Sequence, residues 1–235
     1  MPDFRQHVDG TESVGIHQKE ELRRLADTGA KALILITNRL AQKDESSTLW
    51  KRRLEQLMAA VPDTMPLGFY ECPYPYKRLL TDDGISFCAQ TGRFQFLKDT
   101  CCDPETLQRR VSLTQGTALK LYNANTATLL DTLRWGGAGY SGVMANFHPR
   151  LYTWLCENWD KAPKKAEELQ GFLTMCSYIE NRLYPVNAKY YLKKLGIIAS
   201  DYCRVQNRGD LTPVIQEEVG QLELISHKLE QDYLS

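Results

Sequence analysis

The residue of this chain best placed to do chemistry is Lys98, the last of the run Arg93-Phe94-Gln95-Phe96-Leu97-Lys98, which continues into Asp99-Thr100. Phe94, Phe96 and Lys98 fall on one face at period two, and Gln95, Leu97 and Asp99 on the other, as in a strand. Gly92 lies behind the run. Ahead of it, Asp103-Pro104-Glu105 reads as a helix start, with Asp103 as the N-cap and Pro104 in the first helical position. A lysine that ends such a strand carries its amine into whatever pocket the strand opens onto. Partial removal from water favours the neutral amine there, the form that attacks carbonyl carbon. The plain alternative is a surface lysine closing a strand, so the surrounding elements have to discriminate.

Those elements alternate. Phe4 to Val8 reads as a weak strand, and Glu20 to Thr28 as a helix with Leu22, Leu25 and Ala26 inward and Gly29 as its C′ residue. Ala32 to Ile36 is an unbroken apolar run, as in a strand buried on both faces. A helix over Ser47 to Ala60 follows, then a short strand from Pro66 to Tyr70 and the turn-rich segment Glu71 to Tyr76. Beyond Lys98 come a helix from Pro104 to Leu113, a strand from Ala118 to Tyr122, a helix from Asn125 to Trp135 and a strand from Tyr140 to Met144. Residues 149–235 hold only helices, about four, interrupted at Pro163, Pro185 and Pro213. The expected division is therefore 1–148, a partial barrel, and 149–235, the last barrel helix with a C-terminal helical extension. Six strand–helix units with short loops imply an α/β fold with a parallel sheet, either an open doubly wound sheet or most of a (β/α)8 barrel.

Several functions are excluded. The 235 residues carry a formal net charge of zero, so nothing argues for nucleic acid or an acidic membrane surface as a partner, and neither is expected. No apolar run approaches the length of a membrane span, and Met1-Pro2-Asp3-Phe4-Arg5 does not read as a signal peptide, so a cytoplasmic protein is expected. Seven irregularly spaced cysteines, without a C-x-x-C pair or a Cys/His cluster, imply reduced thiols and no metal. Gly136-Gly137-Ala138-Gly139 precedes a strand instead of opening a helix, so it is no dinucleotide fingerprint. Val143 stands where a nucleophile elbow around Ser141 needs its last glycine.

With Tyr70 ending one strand and Lys98 ending the next, the stretches GAKALILIT (29–37), GFYECPYPYKRLL (68–80), FQFLKDTCCD (94–103), RWGGAGYSGVMANFHP (134–149) and, weakly, YPVNAKYYLKKLG (184–196) resemble the dihydrodipicolinate synthase and N-acetylneuraminate lyase family. The resemblance spans nearly the whole chain, in the family's order and spacing. It implies a class I aldolase or lyase that handles pyruvate or another 2-keto acid, without a cofactor, on a (β/α)8 TIM barrel with helices appended, assembled as a homo-oligomer. Lys98 then corresponds to the lysine that forms a Schiff base with the ketone, and Tyr70 to the tyrosine that shuttles protons. Ser141 and Gly142 fall where the family's last strand presents main-chain groups to the substrate. Glu71, Tyr74 and Tyr76 line the following loop as substrate-facing or packing residues.

Three departures qualify the resemblance. About two strand–helix units, at ~30 residues each, are missing from the N-terminal side of the barrel, and with them the family's Gly-Thr-Thr-Gly-Glu loop, which holds the pyruvate carboxylate. Thr37-Asn38-Arg39-Leu40 stands where the synthases place a pair of tyrosines. Pro75 replaces the arginine that recognises the aldehyde partner, with Lys77 and Arg78 as loose substitutes. The expectation is therefore a family member other than dihydrodipicolinate synthase itself, on an incomplete barrel whose open edges favour association. The rival is a truncated paralogue that binds a ligand or partner without catalysis.

Overall fold

A computed structural model describes residues 13–234, with side chains from residue 18. The expected strand at Phe4–Val8 lies outside them. Five strands form one sheet in chain order: β1 (Leu33–Ile36), β2 (Leu67–Tyr70), β3 (Phe94–Asp99), β4 (Lys120–Asn123) and β5 (Gly139–Tyr140). β1 and β2 are parallel, as are β2 and β3. The architecture is α/β, an incomplete (β/α)8 barrel followed by helices. No helix among the described residues is long and apolar enough to cross a membrane.

Helices fill the connections: α1 (Ser13–Ala26), α2 (Ser47–Met58), α3 (Asp82–Gln90), α4 (Pro104–Thr114) and α5 (Leu129–Arg134). Local chemistry starts two of them, α2 and α3. The Ser46 hydroxyl accepts from the Leu49 amide at 3.2 Å, and Thr81 accepts from the Gly84 amide at 3.1 Å, each satisfying an orphan donor of the first turn. The C-terminal helices α6 (Pro149–Asn158), α7 (Pro163–Cys176) and α9 (Pro213–Leu234) each begin on a proline, whose missing N–H costs nothing there, and α8 (Val186–Lys194) follows Pro185.

The chain gathers into two compact units. The first runs to Cys101 and resumes over Glu105–Tyr122; the second comprises Cys102–Pro104 and the chain from Asn123 onward. The core of the first unit includes Trp50, Leu54, Leu57, Phe69, Phe94 and Leu97, all buried. That of the second is built from helix faces, with Leu151, Leu155, Leu169, Leu173 and Val219 interlocked.

Four expectations need correction. Ile34 is 46% exposed, where an unbroken apolar run implies a strand covered on both faces. β1 ends the sheet, so one flank of Ile34 has no strand beside it among the described residues. Leu25 is also 46% exposed; only Leu22 of that helix face is buried. The last strand is two residues long, because the chain turns into a one-turn 3-10 helix at Val143–Asn146. Finally, Phe94 does not share a face with Phe96 and Lys98. Leu67 pairs with Phe94 but Gly68 pairs with Phe96, so Gln95 is an extra residue, a β-bulge that flips everything before it. Phe94 accordingly stacks on Phe69, 5.0 Å between centroids, on the helix-covered face.

Candidate active site

The bulge resets β3 so that its far end is in step with β2: Phe69 pairs with Leu97, and Tyr70 with Lys98. Alternation then sends Phe69, Leu97, Glu71 and Asp99 to the buried side and Gly68, Phe96, Tyr70 and Lys98 to the other. Tyr70 and Lys98 are half-buried neighbours, with the Lys98 Nζ 4.4 Å from the centroid of the Tyr70 ring, over its face. One layer below, Phe96 stacks on Tyr122 at 4.8 Å. Gly68 makes that layer fit: a Cβ there would stand 2.7 Å from the Ile34 Cδ1 and 2.8 Å from the Phe96 carbonyl oxygen. An amine and a phenol therefore share the end of two paired strands above an aromatic floor, which suits carbonyl addition with proton transfer.

Glu71 lies elsewhere than expected. Its side chain is fully buried on the opposite side of the sheet from Tyr70, because successive strand residues alternate. Its carboxylate accepts from the Leu80 amide (2.7 Å), the Thr100 amide (3.1 Å) and the Arg110 Nη1 (3.0 Å). Arg110 Nη1 also donates to Asp99, the residue after Lys98, and Nη2 donates to the Leu80 carbonyl at 2.6 Å. Burial raises the Glu71 pKa, with Asp99 adding to the effect and Arg110 opposing it. Sequence reasoning passes over Arg110; its signal is an arginine on the inward face of α4, between the buried Leu107 and Val111.

The loop after Tyr70 is tied to the end of β1. Asn38 Nδ2 faces the carbonyls of Cys72 (3.0 Å), Tyr74 (3.0 Å) and Tyr76 (2.7 Å), while the Tyr76 hydroxyl donates back to the Asn38 carbonyl at 2.7 Å. Tyr76 is thus a packing residue, and Tyr74 is 81% exposed. Lys77 Nζ donates to the Thr100 carbonyl at 2.8 Å, and Arg78 to the carbonyls of Gln42 and Glu45, both at 2.9 Å. Leu40, at 2% exposure, is core.

Tyr70 and Lys98 come together in the first unit, with Glu71 behind them on the other side of the sheet; Ser141 and Gly142 belong to the second, just past β5. There the Ser141 amide donates to the Asn123 carbonyl at 2.8 Å. Gly142 passes so close to Tyr140 that a Cβ would be 2.1 Å from its hydroxyl oxygen, which leaves room for glycine alone. Tyr140 itself is stacked on Tyr152 at 3.9 Å and bonded to the Thr126 hydroxyl at 3.0 Å.

A sheet of strands opening a paired amine and phenol at their C-terminal ends is the site plan of barrel enzymes. The model of the dihydrodipicolinate synthetase family matches residues 59–225, and the chain belongs to that family. Among solved structures it is similar to a monomeric dihydrodipicolinate synthase variant (TM-score 0.77, 17% identity, covering 94% of this chain and 72% of that one). It is similar to the chloride-inhibited dihydrodipicolinate synthase of Acinetobacter baumannii complexed with pyruvate (TM-score 0.76, 20% identity, 92% and 72%). A putative dihydrodipicolinate synthase of Thermus thermophilus also shares the fold (TM-score 0.71, 22% identity, 86% and 69%). No curated protein sequence matches the chain.

Proposed function

We propose that the protein is a class I aldolase or lyase acting on pyruvate or another 2-keto acid through a Schiff base on Lys98. The observation that carries this reading is the Lys98 amine lying over the Tyr70 ring at paired strand ends, in a member of this family. In the reaction, the neutral amine adds to the ketone carbon and forms a C–N bond, while the ketone oxygen takes up a proton. That oxygen then leaves as water, and an iminium remains. As the departing fragment gives up its hydroxyl proton and leaves as a carbonyl compound, the iminium accepts the electron pair of the broken carbon–carbon bond and becomes an enamine; protonation of that enamine on carbon restores the iminium, and hydrolysis returns the amine. The Tyr70 hydroxyl gives the proton to the carbinolamine oxygen and takes one back, which is general acid–base work. Ser141 and Gly142 contribute main-chain groups to the substrate, and no cofactor takes part. The protein acts in the cytoplasm as a homo-oligomer.

The reaction is not dihydrodipicolinate synthesis. Thr37 and Asn38 are spent on holding the loop after Tyr70 and Leu40 on the core, and Lys77 and Arg78, the substitutes for the residue at Pro75, are bound to main-chain carbonyls. The test is borohydride trapping in the presence of pyruvate, followed by peptide mass spectrometry. Reduction should fix the keto acid on Lys98. A label confined to Lys77 or Lys120, or none at all, would overturn the assignment.

A further inference from the structure

We infer that Arg110 is a positioning residue for the Tyr70–Lys98 pair, holding the phenol and the amine in register from behind the sheet. The inference rests on the reading of that pair as the reacting groups. Tyr70 and Lys98 are each followed by an acid, Glu71 and Asp99, and alternation turns both acids to the face away from the pair. One guanidinium, 2% exposed, meets both carboxylates, themselves fully buried.

The bonds around it leave the two strand ends little freedom. Glu71 grips the amides of Leu80 and Thr100, and the Thr100 hydroxyl returns a bond to the Glu71 carbonyl at 2.7 Å. The Asp99 carboxylate accepts from the Cys101 amide at 2.8 Å. The Glu71 amide donates to the Lys98 carbonyl at 3.3 Å, so the backbone of one reacting residue is bonded to the successor of the other. Arg110 joins these local turns into one piece. A cluster of two carboxylates and one guanidinium is a poor way to stabilise a core, since apolar side chains of the same volume often do as well. What the charged cluster adds is direction: a fork that must satisfy two acids and the Leu80 carbonyl admits one arrangement of the strands. Lysine at this position keeps the charge but loses the fork.

The experiment compares wild type with Arg110→Lys and with Asp99→Asn, each first checked for a cooperative melt. Two readouts are taken on the whole chain. One is the rate of borohydride trapping of pyruvate at Lys98 as a function of pyruvate concentration. The other is competitive acetylation of Lys98 against Lys120 by acetic anhydride from neutral to alkaline pH, which needs no substrate. For Arg110→Lys the maximal trapping rate should fall about 10²-fold, as small misplacements of reacting groups do, with a half-saturating pyruvate concentration close to that of wild type. The Lys98 acetylation profile should shift while that of Lys120 does not. Should Arg110→Lys fail to melt cooperatively, Asp99→Asn carries the same expectations with the Glu71–Arg110 bond left in place. A folded variant that matches wild type in both readouts overturns the inference and leaves Arg110 as a core ion pair. If wild type is not trapped at Lys98, the proposed function fails, and acetylation alone still decides whether Arg110 governs the Lys98 environment.

Discussion

Behind Tyr70 and Lys98 the first unit buries three charged side chains at one point, whereas the second unit buries a titratable ring and keeps it neutral. In the first cluster Arg110 bridges Glu71 and Asp99, and every carboxylate oxygen has a donor. In the second, His148 is fully buried, with Nδ1 3.0 Å from the Ser226 hydroxyl oxygen and Nε2 unpartnered among the described residues. Its ring stacks on Tyr152 at 5.6 Å and tilts against Phe172 at 6.0 Å. Burial alone lowers its pKa to about 4. Ion pairs thus occupy the space behind two strand ends, and a neutral ring the space between packed helices. The two clusters differ in their partners: backbone amides beside the proposed reacting pair in the first, rings and a hydroxyl in the second.

The largest effect that would sharpen this contrast is on chemistry alone. Tyr70→Phe keeps the ring under the Lys98 amine and removes the hydroxyl, so trapping and turnover should fall by about two to four orders of magnitude while the melt stays in place. Near-normal rates would take Tyr70 out of the mechanism.

The next effect is on stability. Arg110→Met leaves two buried carboxylates without their counter-ion, a change that costs about 3–5 kcal/mol in comparable cores. Chemical denaturation of wild type and variant reads this directly. A loss below about 1 kcal/mol would mean that the cluster is held by its backbone bonds, and the contrast between the two regions would dissolve.

Acid separates the clusters by sign. His148 takes its proton near 6.5 when unfolded but only near 4 when folded, so between those values the unfolded state binds more protons. Its contribution is fully present above the unfolded value and is lost as pH falls, by up to ~3 kcal/mol over the window. Glu71 runs the other way. Its folded pKa is raised, so its contribution is greatest below the unfolded value and is lost as pH rises through the folded one. Denaturation midpoints followed from neutral to weakly acid pH should therefore show His148→Phe gaining on wild type as pH drops. Parallel curves for the two proteins would show that the ring is not held neutral.

Much of this is legible in the sequence, for physical reasons that can be named. Lys98 and Tyr70 stand at strand ends because apolar runs of the right length stop there, and the proline-initiated helices are marked by their prolines. The faces are less legible. A period-two reading puts Phe94 with Lys98, and no residue type announces a bulge at Gln95; only the pairing with β2 reveals it. Glu71 reads only as a substrate-facing or packing residue of the loop, because the arginine that meets its carboxylate lies 39 positions away. Ser226, 78 residues from His148, is likewise an ordinary helix residue until the helices pack.

The smallest expected effect tests that last pair. Ser226→Ala deletes the hydroxyl bonded to the His148 Nδ1 and leaves the ring with no polar partner among the described residues. A neutral hydrogen bond of this kind contributes about 1 kcal/mol, and a bare buried nitrogen costs somewhat more. Ser226→Ala should therefore lower stability by about 1–2 kcal/mol. The double variant His148→Phe/Ser226→Ala leaves no polar atom unsatisfied and fills the ring's space, so its loss should be smaller than the sum of the two single losses. Strict additivity would show that the ring and the hydroxyl are not coupled, and the second cluster would reduce to two unrelated buried side chains.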